Sequence, residues 1–255
     1  MSFFKQMMAG IGIGASKVDL VLPKSSIRQG ERFTGKLIIY SGDVEQQVDE
    51  IYLNLVMQTK KEDQHIVRTV DQQRIAGGFV IPAGSPQQEL TFEYQIPYDI
   101  PISGHKCRYH FQLGLDIKNA LDPKDTEYLN IEPSLEMEAV LQGLSNLGFR
   151  QQHDSGELEG HFQKFEFVPT GFMRGKLDEV EVIFRRGPQG LTLFMEIDKK
   201  SRGLFGALAE SMDIDERRVN LTIPYHQLVV NGQPNISEVA QVLSRFIESE
   251  YQKIL

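Results

Sequence analysis

The 255-residue chain has no tryptophan and a single cysteine, Cys107. One thiol excludes an internal disulfide and any multi-cysteine zinc or iron–sulfur centre, and it suits a reducing cytoplasm. Cations are in deficit: 27 Lys and Arg face 35 Asp and Glu, a formal charge of −8. The average surface therefore repels nucleic acid, whose binding requires phosphates to be neutralised by cations. No run reaches the roughly 20 apolar residues that cross a bilayer as a helix. Met1 to Ala15 carries one Lys5 and is broken by Gly10, Gly12 and Gly14, so secretion is not expected.

The common catalytic signatures are missing too. No G-x-x-x-x-G-K-[ST], H-E-x-x-H or G-x-S-x-G occurs, and the three early glycines follow a candidate helix where a dinucleotide loop follows a strand. What is present is ordinary globular composition: 40% hydrophobic, 24% charged, 22 Gly and 11 Pro. At about 150 residues per domain, that makes one large β-rich unit or two medium ones.

Phe3, Phe4, Met7, Met8 and Ile11 share one side of a short helix in residues 1–16. This stripe either packs on the body of the protein or docks a partner or membrane surface. With one cation, it lacks the basic polar face that anionic lipid prefers. From Val18 the period changes to two. Strands are expected around Val18–Leu22, Phe33–Ile39, Ile51–Met57, Leu90–Ile96, Tyr109–Leu115 and Tyr128–Ile131, with weaker ones at Ile66–Val70 and Gln72–Ile75 before Gly77-Gly78. Closely spaced strands and turns over residues 17–132 describe a β-sandwich. Met137, Val140, Leu141, Leu144 and Leu147 then recur at helical spacing, opening a second mostly β domain, 133–230, with a hairpin around Gly187-Pro188 and a short helix at Leu204–Met212. Residues 231–255 read as an amphipathic helix capped by Asn235, with Glu238 three residues on.

Candidate chemistry is sparse. His105, Cys107 and His110 could ligate a soft metal or pair a thiol with a base, although a lone cysteine more often packs as a small hydrophobe. His153 and His161 flank an acidic loop, and Asp213-Ile214-Asp215-Glu216 lacks the glycine and distal glutamate of a calcium loop. Arg185-Arg186 with Lys199-Lys200 and Arg202 form the densest basic neighbourhood, suited to an acidic partner or to plain solvation.

Three strings carry a resemblance: Arg28-Gln29-Gly30-Glu31-Arg32-Phe33-Thr34-Gly35-Lys36-Leu37, Asp49-Glu50-Ile51-Tyr52-Leu53-Asn54-Leu55, and Phe92-Glu93-Tyr94-Gln95-Ile96-Pro97 before Pro101-Ile102-Ser103. They resemble the N-terminal sandwich of arrestin-like proteins. Met1-Ser2-Phe3-Phe4-Lys5, Gly114-Leu115-Asp116-Ile117-Lys118-Asn119-Ala120 and Glu181-Val182-Ile183-Phe184-Arg185-Arg186-Gly187 resemble the bacterial sporulation-control protein M family. The resemblance implies two tandem arrestin-like β-sandwiches, a C-terminal helix, and regulation of sporulation through protein contacts, without catalysis or cofactor. The expected partner-binding residues are Phe3, Phe4, Met7, Met8, Ile11, Arg185 and Arg186. The alternatives are a membrane-peripheral sorting adaptor anchored by the N-terminal stripe, and more remotely a metal- or thiol-dependent enzyme. A second copy joining through terminal helices or strand edges is a further option.

Overall fold

Period-two patterning builds the first half of the chain. The computed structural model describes residues 16–61, 64–117, 126–153, 155–159, 162–199 and 216–254. Its first eight strands are β1 (Lys17–Val21), β2 (Ser26–Arg28), β3 (Arg32–Tyr40), β4 (Gln46–Lys61), β5 (Gln64–Ile81), β6 (Gln88–Gln95), β7 (Cys107–Ile117) and β8 (Thr126–Glu132). They form a three-stranded sheet, β1-β3-β6, and a five-stranded sheet, β2-β8-β7-β4-β5, antiparallel except at β2/β8. Alternate residues point inward into one core that includes Leu37, Leu53, Leu55, Tyr94, Phe111 and Leu113. Each fully buried large side chain contributes about 1.5–3 kcal/mol. Tyr94 meets Phe111 edge-on at 5.0 Å, and Gly35 leaves room for the Phe92 ring, which a Cβ would approach to 2.3 Å.

The two weak strands expected before Gly77-Gly78 are one 18-residue strand that runs through the glycines. A Cβ at Gly77 would lie 2.5 Å from the Asp49 carbonyl oxygen, and Gly78 has φ +75°. Gly77 permits close backbone approach and Gly78 a left-handed backbone, within a hairpin that register shifts at Ile51/Tyr52 and Leu55/Val56 already twist. These glycines do not end the strand.

The second unit starts with α1 (Leu135–Asn146), where Ser134 accepts a hydrogen bond from the Met137 N–H at 3.3 Å. Gly148 at φ +82° turns the chain out of the helix. There follow β9 (Phe149–Gln151), β10 (Glu157–Glu159), β11 (Phe162–Pro169), β12 (Leu177–Arg186), β13 (Gly190–Lys199), β14 (Glu216–Pro224), α2 (Tyr225–Leu228), β15 (Val229–Val230), β16 (Gln233–Pro234) and α3 (Ile236–Gln252). The sheet is six-stranded, ordered β10-β11-β12-β13-β14, with β9 also on β11.

Phe165, Phe167, Val182, Leu193 and Met195 share a core with Val140 and Leu144 of α1 and with Val239, Leu243 and Ile247 of α3. The architecture is mainly β, as expected, but the second unit differs from a sandwich. Among the described residues it has that sheet and the small two-stranded β15-β16 sheet, and helices form the layer opposite the six strands, because both amphipathic stripes turn onto the same sheet face. Gly143 allows this, since a Cβ there would lie 3.3 Å from side-chain atoms of Val239 and Leu243. The C-terminal helix thus completes the second core. Asn235 stands at its N-cap, yet the side-chain amide donates to the Gln227 carbonyl at 3.0 Å and does not cap.

Candidate functional site

The residues singled out for chemistry do not converge. Strand alternation points Cys107 and Tyr109 into the first core, while His110, three residues from Cys107, faces the other side. Cys107 is 1% exposed, and burial pushes its thiol up to about 11, against weaker lowering by Tyr109, Arg68 and Thr59. Burial also moves His110 below its ordinary value, which keeps the ring neutral. It packs 5.6 Å from the Tyr128 ring. His105 stacks on His153 of the second unit, with centroids 4.6 Å apart. Among the described residues, no group of three or more His, Cys, Asp or Glu is placed to hold a metal ion.

Arg185 and Arg186 are likewise split by alternation. Arg185 is exposed, whereas Arg186 is held by three groups. Its guanidinium lies 4.0 Å from the Tyr98 ring centroid and 4.5 Å from that of Tyr225, and donates to Glu136 Oε1 at 3.1 Å. Burial raises the Glu136 carboxyl, but hydrogen bonds from Arg186, its own backbone and Ser134, with the Arg186 charge, outweigh that and hold it below its usual range. Phe3, Phe4, Met7, Met8, Ile11, His161, Lys200, Arg202, the segment Leu204–Met212 and Asp213-Ile214-Asp215 lie outside the described residues.

What the structure does assemble is a junction between the units. Arg28 pairs with Glu138 of α1 at 2.5 Å and donates to the Pro133 carbonyl at 3.0 Å. Gln29 donates to the Ile100 carbonyl at 2.5 Å and accepts from the Ser134 N–H at 3.1 Å. Gln163 of β11 accepts from the Ile102 N–H at 2.8 Å and donates to the Ile102 carbonyl at 3.1 Å. Sequence reasoning missed Gln29, Tyr98, Gln163 and Tyr225. Only Gln163 left a trace: it stands where the alternation with Phe165 and Phe167 calls for an apolar side chain.

Two surfaces stand out beyond the junction. β5 is the edge of its sheet, and among the described residues no strand pairs with its outer side. Gln73 reaches from it to the Glu93 carbonyl at 3.1 Å, and Asp71 accepts from the Tyr94 hydroxyl at 2.5 Å. Val67, 62% exposed, lies near the hairpin end. On the outer face of the second sheet, Lys164 bridges Glu166 at 3.1 Å and Glu181 at 2.7 Å. Burial, with the charges of Glu181 and Glu166, raises the neighbouring Glu179 carboxyl against a hydrogen bond from Gln152 and the Lys164 charge.

The family model described as SpoOM protein matches residues 4–201. This chain belongs to the Spo0M family. Sporulation-control protein spo0M of Bacillus subtilis (strain 168) is 33% identical over 260 residues, covering 97% of this chain and 98% of the relative. The crystal structure of Spo0M, sporulation control protein, from Bacillus subtilis matches with a TM-score of 0.72 at 30% identity, covering 94% of this chain and 100% of that one. The mainly β architecture is thus shared with a solved family member. No helix among the described residues is long and apolar enough to cross a membrane.

Proposed function

We propose that the chain is a non-catalytic cytoplasmic regulator of sporulation control that works through protein–protein contacts, with the outer edge of β5 as its principal contact surface. The observation that carries this reading is the 18-residue edge strand itself. An unpaired row of backbone donors and acceptors is a template on which a partner adds a strand. Its side chains are mixed: Arg68, Asp71 and Arg74 alternate among Ile66, Val67, Thr69 and glutamines, which favours a selective partner over indiscriminate sheet growth. Exposed Arg185 and the stripe Phe3, Phe4, Met7, Met8 and Ile11 are secondary contacts in this reading, whereas Arg186 already serves Glu136 and two tyrosine rings.

Photo-crosslinking in the native cell tests this, with the reactive side chain placed at Val67 of β5 and, as a control, at Val230, which is 46% exposed in the second unit. The expected result is a discrete set of protein adducts from Val67 that Val230 does not give. No discrete adduct from Val67, or identical adducts from both sites, would refute the assignment of β5.

A further inference from the structure

Separate units in one chain ordinarily move relative to each other unless their contact is extensive or locked. Here the segment between β6 and β7, residues 98–105, is gripped from both sides. Within the first unit, the Tyr109 hydroxyl donates to the Pro101 carbonyl at 2.7 Å, and Ser103 exchanges two bonds with Ile131: N–H to carbonyl at 2.8 Å and Ile131 N–H to Ser103 Oγ at 2.8 Å. Gln29 adds its bond to the Ile100 carbonyl. Pro97 and Pro101 fix φ on either side of Tyr98 to Ile100. The segment therefore follows the first unit.

The second unit holds the same segment by different chemistry. Gln163, 9% exposed, takes both backbone polar groups of Ile102 with one side-chain amide and spends its remaining N–H on the Gly156 carbonyl at 3.1 Å. A glutamine at an inward strand position breaks the apolar pattern, and that departure is what lets the sheet pair with a loop from the other unit. Apolar side chains are also exchanged: Ile102 packs against the second core, and Leu158 packs against the first. The Tyr98 ring packs against Gly30, where a Cβ would come within 2.0 Å of it, and the Arg186 guanidinium lies 4.0 Å from the ring centroid.

We propose that residues 98–105 form a clasp that locks the two units into one rigid body, with Gln163 and Arg186 as its positioning residues. The two-residue connection from β8 to α1 would by itself allow a hinge; Arg28 and Gln29 tie the units beside that connection, and the clasp ties them away from it, which removes the hinge. The chain then presents surfaces of both units in one fixed geometry, which a hinged pair cannot do.

Pulsed electron paramagnetic resonance on the full-length chain tests the clasp, with spin labels at Val80→Cys and Val230→Cys, one exposed position in each unit. Cys107 stays in place because its buried thiol does not label. A second labelled pair, Val67→Cys and Tyr128→Cys, lies within the first unit and reports its integrity. The expected result is one narrow inter-unit distance that broadens in Gln163→Ala and in Arg186→Ala, with the intra-unit distance unchanged. Arg186→Lys, which keeps the charge and loses the planar stack, broadens it less than Arg186→Ala. A broad inter-unit distribution in the parent chain, or a narrow one in the double alanine variant, overturns the proposal. Broadening of both label pairs in Gln163→Ala and Arg186→Ala overturns it as well, because these residues would then support only their own fold.

Discussion

Replacing Gly30 by alanine probes the junction at a single atom. Gly30 has φ +76°, and a Cβ there would lie 2.0 Å from Cε1 and 2.1 Å from Cζ of Tyr98. Two costs add. Left-handed backbone costs an L-residue about 1–2 kcal/mol. The Tyr98 ring must also leave its place and lose the Arg186 guanidinium, a contact of about 0.5–1 kcal/mol at a partly exposed site. The sum is about 1.5–3 kcal/mol, which for a chain of this size lowers the melting temperature by about 3–12 °C. Gly78→Ala is the matched control, since Gly78 has φ +75° and nothing within 4 Å of its Cβ position. It carries the backbone cost alone. Thermal melts followed by circular dichroism compare the two, and in a Tyr98→Ala background the excess cost of Gly30→Ala should vanish. A Gly30→Ala variant that melts no lower than Gly78→Ala would refute the reasoning.

Other outcomes follow from the same packing. Phe111→Ala, at a fully buried position between Phe33 and Tyr94, should cost about 3–5 kcal/mol by urea denaturation. Cys107, with its thiol pushed up to about 11, should not react with a thiol reagent in the native chain at pH 8 and should titrate fully in denaturant. Glu179→Gln should raise the melting temperature slightly at pH 7 and have no effect below about pH 4. The sign follows from the raised carboxyl: its stabilising contribution is complete below the unfolded pKa and is lost as pH rises through the folded one, so removing the ionisable group helps only where it would be charged. Glu136→Gln should do the reverse, destabilising at neutral pH and losing its effect as acid protonates the parent carboxyl, because that carboxyl is held low.

Alternation made the first unit legible. Phe92 and Tyr94 announce their strand because each inward residue is apolar or aromatic and its neighbours are polar. β5 was harder, since Gly77 and Gly78 look like punctuation when the Asp49 backbone that Gly77 accommodates is 28 residues upstream and unseen. The helical stripes around Val140 and Leu243 were also readable. That both turn onto one sheet was not, because the close approach at Gly143 depends on Val239 and Leu243, some 100 residues away. The junction was the least legible part. Gln29 and Ser134 are 105 residues apart, and Ile102 and Gln163 are 61 apart, so no local pattern records their bonds. Arg186 shows the opposite case. Alternation alone separates it from Arg185, and treating the two as one basic patch overlooked the period of the strand that carries them.

Scanning calorimetry of the intact chain tests the joining of the two units most directly. One endotherm, with equal calorimetric and van't Hoff enthalpies, is the result expected of a single cooperative body. Two resolved endotherms, one for each hydrophobic core, would contradict it.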